Sequence, residues 1–380
     1  MRHCNRGAII NPGRHELVVV GAGPVGASLA RALRGFSLAL IGDRAATVSA
    51  DGFDARVYAL TPGNVAFLRE LGAWDAIAPE RRVPVLAMRI FGDRSSLLEF
   101  DAYQAGVPEL AWIVEDRVLQ DALWQDLDVP VHRSPCQEMQ WNPEEVALAL
   151  DVRLTAKLVI GADGANSFVR NSAGIAATEK SYGQIAVVAN FRCERPHANV
   201  AYQWFQRGAV LALLPLPGNH VSMVWSTPSA PGENVADEVE RASGGVLGKL
   251  TLVTPPRSYA LRRLAAERMV APRVALAGDA AHVIHPLAGQ GLNLGLQDAR
   301  ELARVLSERE PSRDPGEVGL LRRYERSRAE PILAMDMMVD TLFRLFGAES
   351  DFLAVLRNVG LNLTDRLPVV KNMLIRQAIH

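Results

Sequence analysis

The residues best equipped for chemistry lie between Val274 and Ala299, in the run VALAGDAAHVIHPLAGQGLNLGLQDA. An apolar strand ends in Gly278-Asp279, His285-Pro286 follows, and Gly289-Gln290-Gly291-Leu292-Asn293 opens a helix that continues through Asp298. Glycines at both turns let backbone approach a bound group closely, because no Cβ stands in the way. The helix start offers unpaired N–H donors to negative charge. A carboxylate at the end of a buried strand is costly unless it has partners. Asp279 therefore reads as an acceptor for ligand hydroxyls, and the Gly289–Asn293 turn as a seat for an anion. No third ligand and no HExxH pattern accompanies His282 and His285, so they read as structural or ligand-facing rather than as a metal pair.

A second constellation, Val18-Val19-Val20-Gly21-Ala22-Gly23-Pro24-Val25-Gly26, sits between an apolar strand and a helix. In a dinucleotide fingerprint Gly21 makes the turn, Gly23 admits the pyrophosphate and Gly26 lets helix and strand pack closely. The acid that such a unit carries at the end of its second strand, for the adenosine ribose, is replaced by Gly42 in Leu40-Ile41-Gly42-Asp43-Arg44. Asp43 comes one residue late, although 43 − 21 = 22 residues from Gly21 is close to the usual spacing of about 20. Either Asp43 reaches the ribose through a local bulge or that contact is missing. On the first reading, a glutamate at position 42 would preserve or strengthen cofactor binding.

A third motif, Asp163-Gly164-Ala165-Asn166-Ser167-Phe168-Val169-Arg170, follows another short buried strand. By itself it is a strand-to-helix turn with Ser167 or Asn166 as cap. In combination, the glycine fingerprint, this Asp-Gly-x-x-Ser-x-x-Arg segment and the order GDAAH, Pro, GQGLN resemble the aromatic-ring hydroxylases of the flavin monooxygenase type. The wording HPLAGQGLNLGLQDA is most similar to the branch that hydroxylates ubiquinone precursors, and the resemblance covers nearly the whole chain.

The resemblance implies FAD as cofactor and NAD(P)H as a transient co-substrate. It places Gly21, Gly23, Gly26 and Asp163 near the pyrophosphate, Asp43 at the adenosine ribose, and Gly278 and Asp279 at the ribityl hydroxyls. Pro286, Gly289, Gln290, Gly291, Leu292 and Asn293 would border the flavin, with the helix start under its pyrimidine edge. There the positive end of the helix favours the charge of reduced flavin. Arg56, in Asp54-Ala55-Arg56-Val57-Tyr58-Ala59-Leu60, and Arg117, in Val114-Glu115-Asp116-Arg117, match arginines beside the cofactor; a surface salt bridge is the other reading of each. No catalytic base can be named, since the cofactor carries the oxygen chemistry. Only one GxGxxG unit is present, so the nicotinamide needs no Rossmann domain of its own.

The implied activity is hydroxylation of a polyprenylated phenol in ubiquinone biosynthesis, with NAD(P)H and O₂. Trp204, Phe205, Leu214 and Trp225 are the candidate walls of the ring pocket, against the alternative that they form domain core. Other readings are an FAD hydroxylase of a small soluble phenol and a non-catalytic subunit of a quinone-synthesis complex.

These motifs need elements to hold them. Leu17–Val20, a helix over 22–34 and Leu38–Ile41 form a βαβ unit. Further helices are expected at 64–71, 113–127 and 236–250, and strands at 89–100, 146–154 and 158–160. Between Gln184 and Leu261, strand-like runs (185–192, 202–206, 210–214 and 220–226) alternate with Pro/Gly turns, as in an antiparallel sheet. The fold class is α/β: a discontinuous, Rossmann-like FAD-binding domain, an inserted antiparallel substrate domain and C-terminal helices. The expected division is FAD-binding parts at 15–80, 106–180 and 266–331, substrate-domain parts at 81–105 and 181–265, and a helical segment at 332–380. In that last segment Met335, Met338, Leu342, Leu345, Phe346, Phe352, Val355 and Leu356 recur at helical spacing. They suit packing on the FAD domain, or an interface with another subunit or a membrane surface.

With 380 residues the chain is long enough for two domains around one cofactor. Its net charge of −1 gives no reason to expect nucleic-acid binding. Cys4, Cys136 and Cys193 are odd in number and widely spaced, which fits reduced thiols in a cytoplasmic setting. The N-terminus lacks the apolar core of a signal peptide. The uncharged run 209–232 is broken by Pro215, Pro217, Gly218 and Asn219, so a strand pair around a turn is expected there, not a membrane span. Peripheral contact with the inner membrane, where polyprenyl substrates reside, stays open.

Overall fold

The structure, a computed structural model, describes residues 13–44, 52–92, 96–206, 208–285 and 290–347, with side chains through Thr341. Strand Arg14–Val20 is its organising element. It pairs in parallel with Arg153–Gly161 on one side and Leu38–Ile41 on the other. Val274–Leu276 continues the parallel order beyond Arg153–Gly161, and Val131–His132 beyond Leu38–Ile41. Leu17, Val18, Val19 and Leu40 are wholly buried, the all-apolar signature of strands covered on both faces. The C-terminal ends Val20, Ile41, Gly161 and Leu276 therefore lie side by side, and the chain leaves the sheet in opposite directions around Arg14–Val20. Ligands of open parallel sheets bind at such a crevice.

The second sheet has nine strands. Its spine is Ala177–Cys193, seventeen residues long, which pairs antiparallel with Arg257–Ala266 and with His220–Thr227. Ala209–Leu216 and Val200–Gln206 follow in antiparallel order, and Val200–Gln206 then meets Ala87–Phe91 in parallel. That one parallel pair is where the chain re-enters from an earlier segment. His282–Val283 closes the other edge, so part of the GDAAH run belongs to this sheet.

Several elements differ from expectation. Residues 113–115, expected to open the helix over 113–127, belong to strand Ala111–Glu115, which pairs with Val57–Leu60 and Arg82–Val85 in a small three-stranded sheet. The helix begins only at Asp116 and runs to Trp124. The helix expected over 236–250 is Val235–Ala242, and positive-φ Gly244 and Gly245 follow its end. Residues 89–100 form two strands, Ala87–Phe91 and Leu97–Asp101.

The C-terminal helix Val318–Gly347 has thirty residues and contains Pro331. Tyr324, fully buried, donates its hydroxyl to the Leu276 carbonyl at 2.8 Å and fastens this helix to the parallel sheet. Met335 packs inward, whereas Met338 is 46% exposed. Leu342, Leu345 and Phe346 lie in the helix, with their side chains outside the description; Phe352, Val355 and Leu356 lie outside the described residues. No helix among the described residues is long and apolar enough to cross a membrane.

Candidate functional site

The glycine fingerprint forms a cradle whose three glycines have distinct reasons. Gly21 has φ +107°, and a Cβ there would sit 2.2 Å from the Ala162 carbonyl oxygen. A Cβ at Gly26 would come within 1.8 Å of the Gly21 oxygen. Both are required by packing. A Cβ at Gly23, the residue preceding helix Pro24–Ala32, would meet nothing within 4 Å. Its bare backbone opens onto free space beside a nine-residue helix start.

At the end of the second strand, Gly42 has φ +144°, and a Cβ would stand 2.6 Å from Ala22 Cβ and 2.9 Å from its amide nitrogen. The expectation that glutamate is accepted there is therefore corrected: the turn has closed onto Ala22. Asp43 accepts from the Arg44 amide at 2.8 Å and lies 3.5 Å from Arg133, both side chains largely exposed. This solvated ion pair leaves Asp43 without a preformed place in the cradle.

The Asp163 motif turns its polar groups inward. Asp163 accepts from the Ser167 hydroxyl at 2.6 Å and the Val169 amide at 3.1 Å, so its side chain caps helix Phe168–Ser172. Arg170, buried, donates to the carbonyls of Ala165 at 3.0 Å and Ala280 at 2.9 Å. It thus clamps this turn to the one carrying Asp279.

Arg56 and Arg117 lie together where strand Val57–Leu60 meets the end of strand Ala111–Glu115. The Arg117 backbone amide and Nε lie 3.3 and 3.5 Å from buried Asp54. Asp54 in turn donates its amide to wholly buried Glu115 at 2.6 Å. Around this pair lies a cavity of about 100 Å³ lined by Phe53, Asp54, Ala55, Arg117, Thr254, Pro255 and Arg257. Arg56 is exposed, with its guanidinium 5.3 Å from the Tyr58 ring centroid. Tyr58 first, then Asp116 and Asp279, hold its pKa above the ordinary arginine value against the opposing effect of burial.

Asp279 itself is exposed. It has no hydrogen-bond donor among the described residues. Even so, the surrounding protein displaces enough water to raise its pKa, against the pull of Arg56, His282 and Arg262. A charged acceptor without a partner, open to a crevice, is what a hydroxyl-bearing ligand would satisfy. Gly278, at φ +61°, donates its amide to Asp298 at 2.9 Å. Pro286 and Gly289 lie outside the described residues.

Beyond them Gln290 precedes helix Gly291–Ser307, and a Cβ at Gly291 would meet nothing within 4 Å. Leu292 packs against the main core. Asn293 is committed inward: its Oδ1 accepts from Thr61 and Asn64 at 3.1 and 2.8 Å, and its Nδ2 donates to the Ala59 carbonyl at 2.8 Å. Its backbone carbonyl also accepts from Asn64 Nδ2, at 3.2 Å. His285 is 1% exposed, lies edge-on to Tyr182 at 4.7 Å, and burial lowers its pKa to about 4. Among the described residues no group of His, Cys, Asp and Glu could hold a metal ion.

The four pocket candidates divide between two faces of the nine-stranded sheet. Trp204 stacks on Phe91 at 5.2 Å and joins the core with Leu213 and Met223 under helix Val235–Ala242. Trp225 faces the same way, beside an open hollow of about 450 Å³ lined with Glu238, Arg241 and Ala242. Alternate residues of a strand point to opposite faces, so Trp204 and Trp225 share this one. Phe205 lies on the other face, clustered with Val210, Ile284, Leu294 and Val339. Leu214 is on that face too, against Val83, Val85 and Ile113. The sequence reading named Asp54, Arg170 and Asp298 only as members of their motifs and gave them no role, because their partners Glu115, Ala280 and Arg328 lie in other segments.

A family model described as FAD binding domain matches residues 14–337. Among curated relatives, the ubiquinone hydroxylase UbiL of Rhodospirillum rubrum is 35% identical, covering 96% of this chain and 89% of that protein. The 3-demethoxyubiquinol 3-hydroxylase of Escherichia coli is 33% identical over 96% and 98%. Among solved structures, p-nitrophenol 4-monooxygenase PnpA of Pseudomonas putida superimposes with a TM-score of 0.79 at 20% identity, covering 95% and 96% of the two chains. Klebsiella pneumoniae HpxO, complexed with FAD and uric acid, gives 0.75 at 17%, covering 96% and 97%. The chain belongs to the FAD binding domain family, and within it to the group that holds these ubiquinone hydroxylases.

Proposed function

We propose that this protein is a flavin-dependent monooxygenase that hydroxylates the ring of a polyprenylated phenol in ubiquinone biosynthesis, using NAD(P)H and O₂. The observation that carries the reading is the convergence of three turns, at Gly21–Gly23, Asp163–Gly164 and Gly278–Asp279, on one crevice in a chain 35% identical to a ubiquinone hydroxylase. Bound FAD, reduced by NAD(P)H, supplies the activated oxygen.

The chain's own residues bind and orient. The bare backbone of Gly23 admits the pyrophosphate, and the start of helix Pro24–Ala32 directs N–H donors at it. Asp279 would accept from the ribityl hydroxyls. The start of helix Gly291–Ser307 would offer backbone N–H groups to the pyrimidine edge, while Asn293 fixes that start from behind. Phe205 and Leu214, with Ile284 and Leu294, wall the ring and its prenyl chain and keep water away from the reacting oxygen.

Burial of isoprene units contributes in proportion to area, at about 25 cal/mol per Å². Substrate-stimulated NAD(P)H oxidation by the FAD-loaded protein is therefore expected to rise steeply with prenyl length and to respond poorly to 4-hydroxybenzoate. Equal stimulation by the short polar phenol would replace this reading with a soluble-phenol hydroxylase.

A further inference from the structure

Asp298 is wholly buried in helix Gly291–Ser307, yet both of its oxygens are engaged. Oδ2 accepts the Gly278 amide at 2.9 Å and lies 2.6 Å from His282 Nε2. Oδ1 accepts from Arg328 Nε at 2.7 Å. Arg328, also buried, comes from helix Val318–Gly347 and donates again to Gln297 at 3.1 Å. Burial alone would raise the Asp298 carboxyl, but His282 and Arg328 overrule it and hold the group ionised below its usual range.

These contacts meet at one turn. Gly278, at φ +61°, is wedged between helices: a Cβ on Gly295 would sit 2.7 Å from Val25 and 3.2 Å from Gly278 Cα. The residue after Gly278 is Asp279, the exposed carboxylate. His282 acts electrostatically on Asp279 as well as bonding to Asp298. We infer that Asp298, braced by His282 and Arg328, is the positioning residue that aims the Gly278–Asp279 turn at FAD and couples helix Val318–Gly347 to the cofactor site. The inference rests on the proposed FAD site. A negative charge at this depth needs its two cationic or donor partners to be tolerated, and in return fixes the Gly278 backbone amide.

The test uses the full chain with Asp298→Asn, His282→Gln and Arg328→Met, and the double variant Asp298→Asn/Arg328→Met. Each apoprotein is titrated with FAD well below its own unfolding midpoint, and the midpoint potential of the bound flavin is measured. FAD affinity is expected to fall by about tenfold or more in each single variant that folds, the scale on which contacts behind a ligand-holding group act. The flavin potential should shift, and the double variant should recover part of the affinity because the buried charge is removed on both sides. Parental FAD affinity and potential in the folded variants, with only thermal stability reduced, would overturn the inference. If Asp298→Asn does not fold, unchanged FAD binding in His282→Gln and Arg328→Met overturns it equally. A parent protein that takes up no FAD would instead overturn the proposed function, and the inference with it.

Discussion

Replacing Asp279 by alanine separates a ligand-holding role from a structural one. The carboxylate is exposed and accepts no hydrogen bond from a described residue, so its removal takes no contact from the apoprotein. Its surroundings already raise its pKa, which means the charge is held against the cost of the water displaced around it. The apoprotein should therefore unfold at the parental temperature or slightly above it. In the complex, hydrogen bonds from ribityl hydroxyls to a charged acceptor are worth about 1.5–3 kcal/mol. At about 1.4 kcal/mol per factor of ten, the Kd for FAD should rise roughly 10- to 150-fold. Fluorescence titration of apoprotein with FAD gives the second quantity, and thermal unfolding without FAD gives the first. A lowered apoprotein midpoint with unaltered FAD affinity would refute the reasoning.

Three further outcomes follow from the geometry. Gly42→Glu must move Ala22 and adopt a positive φ, so thermal unfolding should show a loss of about 1–3 kcal/mol and no tighter FAD binding. Tighter binding at unchanged stability would contradict the closed turn. Phe205→Ala should flatten the dependence of NAD(P)H oxidation on prenyl length, whereas Trp225→Phe, on the opposite face, should leave it intact; the reverse pattern would place the pocket under helix Val235–Ala242. His285 is buried neutral, with its pKa lowered from 6.5 to about 4. The unfolded chain therefore binds its proton first, so this stability is complete above pH 6.5 and is lost as pH falls toward 4, by roughly 3 kcal/mol. Urea unfolding of the parent and of His285→Gln across that range should show the variant losing less; parallel profiles would refute the assignment.

What was legible in the sequence was whatever depends on neighbours a few residues apart. Gly21, Gly23 and Gly26 announced a turn, an opening and a close crossing, and each has the steric environment that spacing required. Asp279 could be singled out because it ends a buried strand, but its charged neighbours could not, since Arg56 and Arg262 come from other segments. The two faces of the middle sheet were illegible for a different reason. Trp204 and Phe205 are both apolar, so hydrophobicity does not alternate and the strand gives no sign of which residue faces the crevice. Residues 113–115 misled because Ile-Val-Glu continues into a true helix, and its strand pairing depends on Val57–Leu60. Asn293 and Asp298 carry ligand-type side chains yet spend them on partners in other segments, and Asp163 spends its own on capping the helix beside it. Only the assembled fold distinguishes such residues from those that face a ligand.

The central claim is tested most directly by supplying the purified, FAD-loaded protein with NAD(P)H, a prenylated phenol precursor and isotopically labelled O₂, then analysing the ring by mass spectrometry. The account predicts a hydroxylated prenylated ring that carries a single labelled oxygen atom, formed only when all three are present. NAD(P)H oxidation that yields hydrogen peroxide and an unmodified ring, while a small soluble phenol is hydroxylated under the same conditions, would contradict it.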